Sequence, residues 1–130
     1  MHFKPFLNLS HIIKSSYNNK LSLIKIKHSK KSLEILSILL KEGYIRGYFV
    51  SIDKNYKIIF ILLKYVDDSD FLNLENVNLA RQREYFSSKR LKNLPLCFKN
   101  LLILSTKKGI LSHIDAINLN VGGFIVLNIS

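Results

Sequence analysis

Two runs rich in β-branched and aromatic residues, Tyr44 to Ile52 and Tyr56 to Tyr65, are separated only by Asp53-Lys54-Asn55. So short a turn-forming cluster between two strand-like runs predicts an antiparallel hairpin. What precedes the hairpin is patterned differently. After Pro5, the residues Leu9, Ile12, Ile13 and Tyr17 recur at helical spacing and Asn18-Asn19 supplies a stop, which predicts a helix over about 6–17. Leu21 to Lys27 reads as a short strand. Ser29 or Ser32 is placed to cap a second helix running through Lys41, with Leu33, Leu36, Leu39 and Leu40 close to one face and Gly43 just past its end. The first half thus reads αβαββ.

Asp67-Asp68-Ser69-Asp70 is a polar turn, and a domain boundary is expected near 67–72, giving domains over 1–68 and 69–130. Phe71 to Pro95 sustains neither a helical nor a strand period. Leu101 to Leu104 is a buried-strand run, Ser105-Thr106-Lys107-Lys108-Gly109 a loop, and Ile110-Leu111 a further extended segment. A short helix then fits, with Ser112 to cap it, Asp115 near its positive end and Asn120 for a left-handed stop. Val121-Gly122-Gly123 must turn sharply before a closing strand in which Ile125, Leu127 and Ile129 alternate with Phe124, Val126 and Asn128. The fold class expected is α+β in two small domains, the first αβαββ and the second mostly β with a short helix.

The chain has 130 residues and 48% hydrophobic content, enough for a core and too much for wholesale disorder. No apolar run approaches the roughly 18 residues that span a bilayer, since Lys57 and Lys64 interrupt even the longest. Membrane partners are therefore not expected. Lys and Arg total 20 against 9 acids, a net charge of +11, and 12 of the basic groups lie in residues 1–66 with only 3 acids. Such imbalance points to a polyanion as partner. Cys97 is the single cysteine, which excludes an intramolecular disulfide and a thiolate metal cluster. His2, His11, His28 and His113 show no metal-ligand spacing and read as surface or satisfied core groups. No metal or cofactor is expected.

Phe, Tyr, Met, Ile, Asn and Lys supply 60 residues, whereas Gly, Ala, Arg and Pro supply 13. Sixteen of the 20 basic residues are Lys although Arg is the better bidentate phosphate ligand, so codon bias has outweighed side-chain choice. This suggests an AT-rich genome, an organelle's in the first instance, with an AT-rich nuclear or bacterial genome as the alternative. The start, Met1 to Phe6, carries neither a signal-peptide apolar stretch nor an Arg-rich transit helix.

The run Ile103 to Leu111, followed by Ala116 and Val121-Gly122-Gly123, resembles the end of protein eight of the small ribosomal subunit, the S-eight family. That family closes on a serine-threonine-serine-lysine-glycine loop, a short helix, a double glycine and a final strand. Lys30-Lys31 through Leu40-Lys41-Glu42-Gly43-Tyr44-Ile45 is similar to the family's second helix and its exit, and Ile61 to Tyr65 to a strand that follows. The resemblance covers nearly the whole chain. It implies a two-domain α+β structural protein that binds small-subunit ribosomal RNA directly, at an irregular helix of the central domain, early in subunit assembly. It implies neighbouring small-subunit proteins as further partners, and neither catalysis nor a small-molecule substrate. Some bacterial members also regulate their own operon through messenger RNA, which is not carried over here.

The departures are informative. Lys107 replaces the loop's third serine, Phe124 an acid after the double glycine, and Asn78-Leu79-Ala80-Arg81 a serine-basic-proline-glycine segment, while Arg83 and Tyr85 keep a basic and an aromatic position. Lys99-Asn100 also stands where the family has a glycine. Such drift suits a mitochondrial copy better than a plastid one; a plastid or an AT-rich bacterial cytoplasm is the alternative location.

Read chemically, Ser105 and Thr106 beside Lys107, Lys108 and Gly109 bring hydroxyls, amides and ammonium groups to one place, which suits a phosphate and a base edge in irregular RNA. On spacing alone a polar β-turn with a solvated lysine pair is the better account, and the resemblance reverses that. Lys25, Lys27, Lys30 and Lys31, with Lys14 and Lys20, cluster around the second helix start, as a basic face toward phosphates or, for any one of them, simply a solvated face. Arg81, Arg83, Lys89 and Arg90 interleave with Tyr85 and Phe86 as in base-stacking surfaces, although Tyr85 or Phe86 is as readily a core residue. Gly122 and Gly123 complete the RNA-facing set through backbone approach or positive φ rather than a cofactor site. The expected RNA-binding residues are thus Lys27, Lys30, Lys31, Arg83, Tyr85, Ser105, Thr106, Lys107, Lys108, Gly122 and Gly123. A stand-alone nucleic-acid-binding regulator is the alternative function. A small RNA-modifying enzyme is disfavoured, because no nucleophile, base and orienting group occur together.

Overall fold

The computed structural model describes residues 4–64, 77–79, 84–95, 97–98 and 100–129. The chain divides into two compact units that meet in sequence between Asn76 and Val77. The boundary expected near 67–72 lies outside the described residues.

The first unit runs α1 (Lys4–Asn18), β1 (Leu23–Lys27), α2 (Lys30–Lys41), β2 (Ile45–Asp53) and β3 (Tyr56–Leu63), the αβαββ order that the patterning predicts. Pro5 is tolerated in the first turn of α1, where its missing N–H costs no hydrogen bond. Leu9, Ser10, Ile13 and Ser16 are the buried residues described on α1. The helix ends with Lys20 in the left-handed region at φ 56, after Asn18-Asn19, while Leu21 N–H returns to the Ser16 carbonyl at 3.0 Å.

Ser29 caps α2, its hydroxyl accepting from Ser32 N–H at 3.0 Å, so Ser32 lies one turn inside the helix and is buried. The buried stripe of α2 is Ser32, Ile35, Leu36, Ile38 and Leu39, whereas Leu40 is exposed. At its far end Gly43 takes φ 85, Gly43 N–H reaches the Leu40 carbonyl at 3.1 Å and Tyr44 N–H the Leu39 carbonyl at 2.8 Å. That paired closure requires a left-handed residue at Gly43.

The three strands form an antiparallel sheet in the order β1-β3-β2. The hairpin closes on Asp53 opposite Tyr56 through a two-residue turn, with Lys54 and Asn55 both at positive φ, 46 and 72. This mirror-image turn matches the strand twist. Alternation sends Ile24, Ile26, Ile59, Ile61 and Leu63 to the buried face.

The second unit contains β4 (Val77–Leu79), β5 (Tyr85–Phe86), α3 (Ser88–Lys92), β6 (Leu101–Thr106), β7 (Gly109–Ser112), α4 (His113–Asn118) and β8 (Gly123–Ile129). Its strands are ordered β4-β8-β6-β7, with β5 also pairing β8. The fold is α+β, as expected, but α3 is a second short helix where no period is legible. Five residues are too few to express one, and only Leu91 is buried. Its start nonetheless has a signal, because Ser87 caps Arg90 N–H at 3.2 Å.

A cluster of Phe86, Leu91, Leu102, Leu104, Ala116 and Ile125 forms the core between this sheet and its helices. The closing strand does not keep simple alternation. Ile103 pairs with Leu127 and Leu104 with Ile125, so Val126 is an extra residue and Ile125 and Leu127 face opposite sides. Ser112 caps α4, and Asn120 provides the left-handed stop at φ 58, both as the sequence indicates.

Candidate RNA interface

Ser105 and Thr106 belong to β6 rather than to a loop, in register with Ile110 and Gly109. The connection is therefore only Lys107-Lys108, and Gly109 takes φ 110. Thr106 is tied into this turn, its hydroxyl donating to the Gly109 carbonyl at 2.8 Å and accepting from Lys108 N–H at 3.1 Å. Its first role is thus structural. Lys107 and Lys108 are exposed at the tip, and neither ammonium has a partner among the described residues. The Ser105 hydroxyl, half-buried, is likewise without a partner among them.

Ser105 lies opposite Phe124 on β8, and Phe124 lies opposite Tyr85 on β5. Directly opposed residues share a sheet face, so the hydroxyl and two aromatic rings form one row. Tyr85 and Phe124 meet edge to face at 5.2 Å and are 52% and 41% exposed. Phe86 alternates to the other face and is core, which resolves the choice between Tyr85 and Phe86. The Arg90 guanidinium lies 3.7 Å over the Phe86 ring and pairs with Glu84 at 2.9 Å. Arg90 is thereby held in place, whereas Tyr85 stays available. The sequence marks Phe124 only as a departure from a pattern; its place in this row needs the strand register.

Neither Gly122 nor Gly123 is among the residues at positive φ. Both serve close approach. A Cβ on Gly122 would come within 2.5 Å of the Phe86 carbonyl oxygen and 3.0 Å of the Tyr85 hydroxyl, and one on Gly123 would overlap the Ser105 carbonyl. The double glycine thus seats β8 against the strands carrying Tyr85 and Ser105.

In the first unit, Lys27 ends β1 exposed, and Lys30 and Lys31 occupy the first turn of α2, which holds no acid. Cations at the positive helix end lose about 0.3–1 kcal/mol each in helix stability, and the summed field suits an anion outside. Lys14 and Lys20 are also exposed. Arg81 and Arg83 lie outside the described residues. Among the histidines, His113 is satisfied, its Nδ1 accepting from Leu102 N–H at 3.2 Å. Among the described residues, no group of three His, Cys, Asp or Glu could hold a metal, and no helix is long and apolar enough to cross a membrane.

Residues 5–129 match the family model described as ribosomal protein S8. The chain belongs to the ribosomal protein S8 family. It is 35% identical over 125 residues to the small ribosomal subunit protein uS8m of Acanthamoeba castellanii, covering 95% of this chain and 96% of that protein. It is 32% identical over 123 residues to the uS8 protein of Mycoplasmopsis pulmonis, covering 94% and 92%, and 31% identical over 121 residues to that of Rickettsia canadensis, covering 90% and 89%. The S8 match identifies a structural small-subunit ribosomal protein, in a family for which ribosomal-RNA binding is typical. Within this S8-family chain, one segment that departs from the family pattern begins as a strand. Asn78 and Leu79 pair with Asn128 and Leu127 as strand β4, while Ala80 to Arg83 are not described.

Proposed function

We propose that this S8-family protein contacts small-subunit ribosomal RNA directly through two surfaces. In the second, residues 69–130, Ser105 reads the RNA beside Lys107, Lys108, Tyr85 and Phe124, with Thr106, Gly122 and Gly123 holding the strands that present them. In the first, residues 1–68, Lys27, Lys30 and Lys31 supply attraction to phosphate, and Arg83 joins the second surface. The single observation carrying this reading is the Ser105 hydroxyl, unpartnered among the described residues, between an exposed lysine tip and two exposed aromatic edges. A hydroxyl that can both donate and accept, next to stacking surfaces and cations, fits an irregular helix with splayed bases. The target is the central-domain helix, the role structural rather than catalytic, and the other partners are neighbouring small-subunit proteins.

The ribosome concerned is organellar, and specifically mitochondrial. The A/T-biased composition and the 35% identity to a uS8m protein support this, against 32% and 31% for the two bacterial relatives. Titration of a cognate central-domain fragment, compared with a scrambled duplex, tests the RNA reading. Equal affinity for the two would overturn it. Fractionation of the host cell tests the location, with co-sedimentation on mitochondrial small subunits as the expected result.

A further inference from the structure

The sheet of the first unit has a second face that its helices do not use. Ile24, Ile26, Ile59 and Ile61 point into the core, so alternation turns Lys25, Lys27, Ile58, Phe60, Phe49 and Ser51 the other way. The register sets these in rows. Lys25 lies opposite Phe60, which lies opposite Phe49, and the next row is Lys27, Ile58 and Ser51. The Phe49 and Phe60 rings stack at 5.0 Å with 16° between planes, and Phe49 is 49% exposed.

We propose that this face, distinct from the Ser105 surface and sharing Lys27 with the basic cluster of the first unit, binds unpaired RNA nucleotides, with bases stacking on Phe49 and Phe60 and phosphates running along Lys25 and Lys27. The stacked pair, with Phe49 exposed and Phe60 half-buried, offers a π surface without sequence preference, and the two lysines of β1 sit beside Phe60 where a backbone would pass. Charge decides against an apolar protein partner. On this face β1 places Lys25 and Lys27 and the adjoining turn carries Lys54, while Asp53 is the single acid of the three strands. At the hairpin end, Lys25, Lys27, His28, Tyr56 and Lys57 line a recess of about 570 Å³, in the roughly 300–1,000 Å³ range of small-ligand sites. Tyr56 is 71% exposed beside it. A recess rimmed by three lysines and a tyrosine suits a single splayed nucleotide at the end of the strand.

The inference rests on the chain being an RNA binder, but not on the Ser105 surface. The test uses the full chain, an unstructured octauridylate and the cognate structured fragment, with ultraviolet crosslinking and peptide mapping. Phe49 stands on an edge strand, so Phe49→Thr keeps strand preference while removing the ring. Octauridylate should crosslink to peptides bearing Phe49, Tyr56 or Phe60, and Phe49→Thr should weaken its binding about tenfold, with Phe49→Tyr restoring it. Lys25→Gln with Lys27→Gln should flatten the salt dependence of the same binding, which keeps the proposal testable if Phe49→Thr impairs folding. Ser105→Ala should leave octauridylate binding unchanged and weaken only the structured fragment, so the two surfaces fail separately. Absence of octauridylate binding, crosslinks confined to residues 84–129, or unchanged affinity in both the Phe49→Thr and the lysine variants would overturn the proposal. The last result is also what a protein neighbour on this face would give.

Discussion

Gly123 lies so close to Ser105 that a Cβ on the glycine would overlap the serine carbonyl oxygen, with Thr106 Cγ2 only 2.9 Å away. The obstacle is β6 backbone near the end of the ladder, where Ser105 is paired on both sides, with Phe124 and with Ile110, so it cannot swing aside. Gly123→Ala should therefore destabilise the protein by about 1–3 kcal/mol, the range of overpacking against a fixed neighbour. Gly47→Ala is the control. Its Cβ would meet only Leu62 Cδ1 at 3.8 Å, an ordinary contact. Thermal unfolding of the two variants checks the contrast, which equal losses would contradict.

Gly43 presents a conformational requirement instead of a steric one. With φ at 85 it closes α2 through the bonds to Leu40 and Leu39. Gly43→Val should cost about 1–3 kcal/mol, because a β-branched residue resists the left-handed region. Denaturant midpoints measure this, and Gly43→Asn should lose less than Gly43→Val.

These glycines show what a sequence discloses and what it hides. Gly43 is legible because a helix stop has a local signature, and the same holds for Ser112 and Asn120, while the cap of α2 is legible only as Ser29 or Ser32. Lys20 is not, since its left-handed φ is imposed by the chain returning to Ser16 rather than by its own preference. The face of Phe124 depends on a bulge at Val126 and on β5, two residues long, neither of which leaves a periodic trace. Thus the lysines at the tip could be named from sequence, whereas the row Ser105, Phe124 and Tyr85 required the register. Thr106 is instructive in the other direction. Its residue type suggests recognition, and its hydrogen bonds commit it to the turn.

Tyr44 gives a pH dependence. Burial foremost, and the nearby Glu42 carboxylate second, push its phenol above the usual 10.0. The folded state therefore holds the phenolic proton more tightly than the unfolded state. The resulting stability is complete below the unfolded value and is lost as pH rises through the raised folded value. Comparison of wild type with Tyr44→Phe isolates the effect from lysine titration. The wild type should lose more stability than Tyr44→Phe between about pH 8 and pH 11, and parallel curves would show that Tyr44 does not contribute.

Ser105 and Thr106 should separate stability from recognition. Thr106→Ala removes one bond donated to Gly109 and one accepted from Lys108, and should lower stability by about 1–2 kcal/mol. Ser105→Ala breaks no bond among the described residues, so the melting temperature should hold. Its affinity for the cognate RNA should fall by about 1–3 kcal/mol if an RNA polar group is left unpaired. Unfolding and binding measured on both variants decide the matter, and a Ser105→Ala protein that binds like wild type would remove Ser105 from the interface.

Lys107 and Lys108 should behave differently again, because their contribution is charge. They form the whole of a two-residue turn, exposed and unpaired among the described residues, so replacing both with Ala leaves the β6 and β7 ladder and the Thr106 bonds to backbone in place. Each lysine that neutralises a phosphate releases counterions on binding, and its loss reduces the slope of log affinity against log salt by about 1. The double variant should therefore bind cognate and scrambled RNA more weakly by the same factor, with the difference largest at low salt. Ser105→Ala should keep the wild-type slope while losing the preference for cognate RNA. A double lysine variant that keeps its slope would mean the tip faces away from phosphate, and the charge attraction would then fall to Lys27, Lys30 and Lys31 in the first unit.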